Sequence, residues 1–394
     1  MACPGPVGAD SSHWRGHGVA RSTIQARLRD SRAANEPEEA PLEPSVSIIA
    51  TASTLPQAIV SNHDIGQRLL DGVEIDDEES AEIVARIGER AELIEKKTGL
   101  RSRHFFAPDE SPATVGTELL ERLMAGQSWS ELDAIIVSSS SVHGFPGLSQ
   151  QIVAAARAQH PELGAPFVLD VGSNACTGFM YALAIGSSVM QALGYRRVAC
   201  VALEFSSRCI AYDPMSFGTS TLFGDAAAGL LLGRDVRGLA TVRAVRASSM
   251  IDSQTIAMVK GMGMQAAHPA LEVPKSARWF MAGPPVAIGA TRILVEEIER
   301  VQREGTRIDW LIPHQANLTR ILIPACVKTG IDPDRLCASF ADTGNTSSAS
   351  IPLLLDQLIR SGRAERGQTA LMVGFGASFS IGSAVVEFDQ LPAA

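Results

Sequence analysis

The sequence predicts an α/β protein made of two similar halves, with strands buried between layers of helices. Three observations carry this expectation. Short apolar runs of strand length alternate with longer runs whose apolar residues return at helical spacing. A helix at 114–124 followed by the apolar run Leu132–Ile136 recurs as a helix at Val286–Arg303 followed by Ile308–Ile312, with Asp133 and Asp309 176 residues apart. The runs Cys200–Glu204 and Leu371–Phe375 pair up at a nearly equal offset of 171. With 394 residues, 45% of them hydrophobic, the chain can bury a large core, and its low aromatic content and 34 glycines suit tightly packed Ala, Val and Leu.

Taken in order, residues 1–44 are polar, mixed in charge and end in a Pro/Glu-rich stretch, which reads as a disordered extension. The first half runs over 45–235 and the second over 236–394. Val46–Ala52 is a first strand. Ile65–Leu70 and Ala81–Lys97 are helices, the second stopped by Thr98-Gly99. Leu132–Ser138 is a buried strand, His143–Pro146 a turn and Ser149–Gln159 a helix. Val168–Val171 is a short strand that turns through Gly172, Ser173 and Asn174 into an apolar helix. Arg197–Phe205 is another buried strand, and Thr221–Leu232, carrying Phe223-Gly224-Asp225, closes the first half.

The net charge of −9 and the lack of a basic tract argue against nucleic acid and anionic membranes as partners. No uninterrupted run of 18 apolar residues suggests a spanning helix. The six cysteines, at 3, 176, 200, 209, 326 and 337, form no C-x-x-C pair or metal spacing, so no metal is expected. Cys200 and Cys326 read as core, and the pattern fits a reducing, cytoplasmic setting.

Cys176 stands where strand becomes helix. A helix N-terminus offers free N–H groups and a partial positive charge, both of which favour the nucleophilic thiolate. Taken alone, Cys176 also reads as an inert core cysteine. Three further motifs sharpen the reading: Pro313-His314-Gln315-Ala316-Asn317, Gly344-Asn345-Thr346-Ser347-Ser348-Ala349-Ser350, and Gly374-Phe375-Gly376-Ala377-Ser378. A cysteine with a remote His and Asn is a nucleophilic constellation.

In this order the motifs resemble the ketoacyl synthase III family of the thiolase superfamily, from about Val46 to Phe388. The resemblance implies a thiolase-like duplicated αβαβα layered fold. It also implies an acyltransferase that loads an acyl group on Cys176 and condenses it, with decarboxylation, with a malonyl or β-ketoacyl thioester. The amides of Cys176 and Ala377 would form the oxyanion hole, although the family usually has glycine at the latter position. His314 and Asn345 would stabilise the enolate. Asn317 would help hold His314 or a water, Phe145 would reach into a partner's acyl pocket, and Leu222 would line the channel. Lys96, Lys97, Arg101 and Arg320 are candidate contacts for phosphopantetheine or for an acyl carrier protein. No cofactor is implied beyond substrates carried as phosphopantetheine or coenzyme A thioesters. A homodimer is implied, formed through the strand ending near Phe205 and the loops around Phe145.

Three departures bear on substrate. The family's adenine-stacking Trp is Leu93 here, its partner Arg is Phe217, and a docking Arg is Thr319, with Arg320 displaced by one. A Trp/Arg clamp would supply stacking and cation–π energy. Its absence points away from acetyl-CoA priming and toward specialised fatty acid or polyketide biosynthesis. The rivals are an acyltransferase onto a hydroxyl or amine, an enzyme joining two β-ketoacyl thioesters as pyrone-forming relatives do, and a structural partner of a heterodimeric synthase. Retention of Cys176, His314 and Asn345 speaks against the last.

Overall fold

The computed structural model describes residues 45–71, 77–141, 144–172, 174–249, 259–260, 279–281, 283–376 and 379–392. The expectation of disorder over 1–44 lies outside them. In chain order the first half holds β1 (Val46–Thr54), β2 (Ala58–Ser61), α1 (Asn62–Leu70), α2 (Glu78–Thr98), β3 (Ser102–Phe105), α3 (Pro112–Leu123), β4 (Leu132–Ser138), α4 (Leu148–Gln159), β5 (Phe167–Val171), α5 (Gly178–Leu193), β6 (Arg197–Glu204), α6 (Phe217–Ser220) and β7 (Ala226–Arg234). The second holds β8 (Ala240–Ser249), β9 (Val259–Lys260), β10 (Phe280–Met281), α7 (Gly283–Arg303), β11 (Trp310–Pro313), α8 (Ile323–Thr329), α9 (Phe340–Thr343), α10 (Ser350–Arg360), β12 (Thr369–Phe375) and β13 (Ser380–Phe388).

Nine strands make one mixed sheet in the order β11-β12-β13-β8-β1-β7-β6-β4-β5. Outward from the β8–β1 seam the two arms repeat. β1 pairs antiparallel with β7, β7 with β6, and β6 parallel with β4. In the other arm β8 pairs antiparallel with β13, β13 with β12, and β12 parallel with β11. The repeats read from sequence fall on equivalent strands, Leu132–Ile136 on β4 with Ile308–Ile312 around β11, and Cys200–Glu204 on β6 with Leu371–Phe375 on β12. The seam itself is short, with Ser47 opposite Thr241 and Ile48 opposite Ala240.

Successive strand residues face opposite layers. On β4, Ala134 and Ile136 point into a central core with α5 and α10, while Ile135 and Val137 point outward to α3 and α4. In the second arm, α7 and α8 cover the outer face through Ala290, Ile293, Leu294, Ala325 and Cys326. The result is the layered αβαβα thiolase-like arrangement. The stretch Ala175–Leu193 is long and apolar enough to cross a membrane by composition, but here it is the central helix, with Phe179, Met180, Ala182 and Leu183 wholly buried.

One expectation is corrected. The strand that ends before Phe205 is β6, which lies between β7 and β4 and is buried along nearly its whole length. It has no free edge to offer a partner. A continuous apolar run marks burial on both faces and says nothing of position in the sheet. On that side the sheet ends at β5, whose Phe167 is partly exposed.

Candidate active site

β5 delivers the chain to a turn, and a 3-10 turn over Ala175–Thr177 leads into α5. Ala175 has φ of 47°, a left-handed conformation that costs an alanine energy and recurs at functional turns. The Thr177 hydroxyl donates to the Asn174 carbonyl at 2.7 Å and accepts from the Ser380 hydroxyl at 2.6 Å. Gly376 packs so closely behind this turn that a Cβ there would meet the Asn174 oxygen at 2.7 Å.

Cys176 is half-buried at this turn. Burial pushes its thiol up to about 12, against hydrogen bonds from Ser347 and Asn345, while the charge of Glu204 pushes it further. Desolvation of the charged form works against the helix N-terminus and favours a thiol, which must hand its proton on before it attacks.

His314 follows β11, and its amide donates to the Val373 carbonyl at 2.9 Å, extending the β11–β12 pairing by one residue. The imidazole is buried edge-on to Phe375, with ring centres 5.1 Å apart. Its Nδ1 lies 2.9 Å from the Ser350 hydroxyl, which is also 2.9 Å from the Ser347 carbonyl. Ser350 therefore has one proton and two acceptors. Given to Ser347, it leaves the imidazole hydrogen on Nδ1; given to Nδ1, it puts that hydrogen on Nε2. Burial drops the His314 pKa to about 3, so the ring is neutral. Gln315 fixes the segment by donating to the Pro313 carbonyl at 2.9 Å and accepting from the amides of Ser339 and Phe340 at 3.0 and 3.1 Å.

Asn345 is held from both sides. Its amide donates to the Leu222 carbonyl at 2.8 Å, and its carbonyl accepts from Gly224 at 3.0 Å. Its side-chain oxygen accepts from the Ser347 amide at 2.9 Å, which turns the NH2 group toward Cys176. Ser347, at φ of 48°, sets its hydroxyl 3.6 Å from the Cys176 sulfur. One loop of the second half thus reaches both the cysteine of the first half and, through Ser350, the histidine.

The remaining sequence candidates divide. Leu222 is tied to Asn345 and packs among Phe217, Leu318 and Phe340. Asn317 caps the turn over Leu318–Leu322, accepting from the Arg320 amide at 2.8 Å. This commits its oxygen to the backbone rather than to His314. Lys96, Lys97 and Arg320 are exposed, and Thr319 donates to the Lys97 carbonyl at 2.8 Å, so α2 and the Leu318–Leu322 turn bring these cations together. Arg101 is paired bidentately with Asp342. Phe145 is fully exposed. Phe217 lies under the Arg90 guanidinium at 5.7 Å. Ala377 lies outside the described residues.

Sequence reasoning overlooked Ser140, Glu204 and the roles of Ser347, Ser348 and Ser350. Glu204 had a signal, since a charged residue ends an otherwise apolar strand. Asp225 holds neighbouring segments together. Buried, it accepts from Phe106 and from both the amide and hydroxyl of Ser207.

A duplicated layered fold with a cysteine at the head of its central helix defines an acyl-transferring enzyme of the thiolase fold. Two family models match the chain, 3-oxoacyl-[acyl-carrier-protein (ACP)] synthase III over residues 169–251 and its C-terminal part over 298–388. The beta-ketoacyl-[acyl-carrier-protein] synthase III of Yersinia pestis (strain Pestoides F) is 31% identical over 348 residues, covering 86% of this chain and 99% of the relative. Among solved structures, the beta-ketoacyl-[acyl carrier protein] synthase III of Thermus thermophilus superposes with a TM-score of 0.69 at 25% identity, covering 87% of this chain and 99% of that one. A priming beta-ketosynthase from a polyketide biosynthetic pathway gives 0.69 at 28%, covering 88% and 97%. The chain belongs to the beta-ketoacyl-[acyl-carrier-protein] synthase III family, and is a condensing acyltransferase.

Proposed function

We propose that Cys176 takes an acyl group from a thioester and that His314 and Asn345 then drive decarboxylation of a malonyl thioester, whose carbanion attacks the acyl-enzyme. The observation that carries this reading is the loop Gly344–Ser350, which turns the Asn345 NH2 and the Ser347 hydroxyl toward the Cys176 sulfur while Ser350 holds His314. A neutral imidazole and an amide are the right donors for an enolate oxygen, because they stabilise developing negative charge without neutralising the carboxylate that must leave as carbon dioxide. The donating His314 tautomer is the one in which Ser350 gives its proton to Nδ1. The amides of Cys176 and Ala377 serve the acyl-transfer oxyanion.

The halves 45–235 and 236–394 are the units of the duplication. Lys96, Lys97 and Arg320 receive the phosphopantetheine arm or an acyl carrier protein, and Leu222 lines the way to the cysteine. Leu93 and Phe217 in place of a Trp/Arg pair favour an unusual acyl group and specialised fatty acid or polyketide biosynthesis in the cytoplasm. The working form is a homodimer joined along β5, with the exposed Phe145 at the partner's acyl pocket.

The test is paired: acyl-enzyme by intact mass, and labelled carbon dioxide release from malonyl thioester. Cys176→Ala loads nothing. Asn345→Ala loads but releases carbon dioxide on the order of a hundredfold to a thousandfold more slowly. Full condensation by Asn345→Ala, or loading that persists in Cys176→Ala, would overturn the assignment.

A further inference from the structure

Behind the cysteine lies a charged group that the chemistry above leaves unused. Glu204, the last residue of β6, is wholly buried. Every partner of its carboxylate is a neutral donor. The Ser140 hydroxyl donates to Oε1 at 2.8 Å and the Ser140 amide to both oxygens at 3.2 Å. The Ser141 hydroxyl donates to Oε2 at 3.1 Å. The Ser348 hydroxyl and amide donate to Oε1 at 2.5 and 3.3 Å. No cation pairs with it among the described residues. A buried carboxylate without a counter-ion is costly, and one so placed calls for a reason.

The Ser140 hydroxyl also lies 2.9 Å from that of Ser347, which is 3.6 Å from the Cys176 sulfur. An unbroken hydrogen-bonded line therefore runs Glu204–Ser140–Ser347–Cys176. Each hydroxyl has one proton. Ser140 gives its proton to Glu204. Ser347, which donates to the sulfur at rest, can turn its proton to Ser140, and the thiol then gives its own to Ser347. All the bonds in the line then point the same way, which is the arrangement a proton shift requires.

We propose that Glu204 is the acceptor of the Cys176 thiol proton, reached through Ser140 and Ser347, and that it stores this proton between the two half-reactions. During acyl loading the S–H bond breaks and its proton moves to the Ser347 oxygen. The Ser347 proton moves to Ser140, and the Ser140 proton to the Glu204 carboxylate. The electron pair left on sulfur attacks the thioester carbon, and the departing thiolate takes a proton from solvent. In condensation the enolate carbon attacks the acyl-enzyme and expels the Cys176 thiolate, and the line runs backward to return the proton from Glu204 to sulfur. The buried pair never carries more than one negative charge: one on Glu204 at rest, none in the acyl-enzyme, and one again when the Cys176 thiolate is expelled. Thiolate and ionised Glu204 never coexist, which avoids the repulsion two buried like charges would suffer. Burial raises the pKa of Glu204 and so makes it a better acceptor than an exposed carboxylate. Glu204 touches no reacting atom and acts through the two serines.

This inference rests on Cys176 being the nucleophile, so the experiment separates the two. Cys176 alkylation by iodoacetamide at pH 8, read by peptide mass mapping, reports thiolate formation without any condensation step. Glu204→Gln keeps the size and cannot take a proton, and it slows alkylation at Cys176 by about a hundredfold. Ser140→Ala, which touches Glu204 and Ser347 but not the sulfur, slows it to a similar degree while the other donors still hold the carboxylate. In Glu204→Gln/Ser140→Ala the losses do not multiply, because either change cuts the same line. A wild-type alkylation rate in folded Glu204→Gln, or in Ser140→Ala where Glu204→Gln fails to fold, overturns the proposal. Losses that multiply in the double variant also overturn it. Acyl loading of the wild type is measured alongside. A wild type that never loads at Cys176 overturns the nucleophile itself, whereas full-rate loading by Glu204→Gln overturns only the relay.

Discussion

At the scale of single residues, the site depends on how neutral groups are held, and His314 and Ser350 make this testable. The Ser350 hydroxyl decides which imidazole nitrogen carries hydrogen, so Ser350→Ala removes the device that favours the donating tautomer. We expect carbon dioxide release to fall about tenfold or more, with acyl loading less affected, in the paired assay. The pKa of His314 drops from 6.5 unfolded to about 3 folded because burial disfavours the imidazolium. Between those values the unfolded chain binds the extra proton. Stability is therefore intact above pH 6.5 and drains away as pH falls toward 3, by at most on the order of 5 kcal/mol. His314→Asn should flatten this acid limb in melting curves taken from pH 7 to pH 4; an unchanged limb would mean the ring is not held neutral. Cys176, His314 and Asn345 are legible in the sequence because each sits in a contiguous motif. The line from Glu204 is not, because its members at 140, 204 and 347 meet only after three elements fold together.

Among the elements, turns do more than helices to set the site. Gly344 has φ of 66°, and a Cβ there would stand 2.7 Å from the Leu222 carbonyl oxygen, which accepts the Asn345 amide. Gly344→Ala should push Asn345 off its place, cutting carbon dioxide release while leaving the β-sheet circular dichroism intact. Equal activity in that variant would show that the loop tolerates a shift. At the sheet's end, Phe167 on β5 and the exposed Phe145 belong to the proposed dimer face. Phe145→Glu with Phe167→Glu should bring the mass seen by light scattering down from twice the chain's 41.7 kDa to a single copy. Helix ends are readable where residue type dictates conformation. Gly99, at φ of 81°, ends α2 where Thr98-Gly99 foretells it. The place of β6 inside the sheet is not readable, since order across a sheet depends on distant pairings.

For the whole molecule, the near-constant offset between repeated runs makes the duplication legible in the sequence, because equivalent strands bury equivalent faces. How the halves are sewn together leaves no such trace. The β1–β8 seam is brief, and a polar stitch supplements it: Asp356 of α10, buried, accepts from Thr51 and Ser53 of β1 at 2.7 and 2.6 Å and from Arg360 at 2.9 Å. Asp356→Leu leaves two part-buried hydroxyls short of an acceptor. It should destabilise the protein by about 3 kcal/mol, seen as a lower midpoint in urea.

The left-handed residues Ala175 and Ser347 draw these scales together. Each lies three residues before a central helix, and each opens a 3-10 turn, over Ala175–Thr177 before α5 and over Ser347–Ala349 before α10. They are 172 residues apart, between the 171 and 176 that separate the repeated runs. The same backbone hinge has therefore been written twice, and its next residue is Cys176 in one copy and Ser348 in the other. One copy carries the sulfur proposed as nucleophile, and the other presents a hydroxyl to the Glu204 carboxylate. An inherited symmetry of shape has become an asymmetry of labour, and exchanging the two side chains would leave the architecture standing while silencing the chemistry.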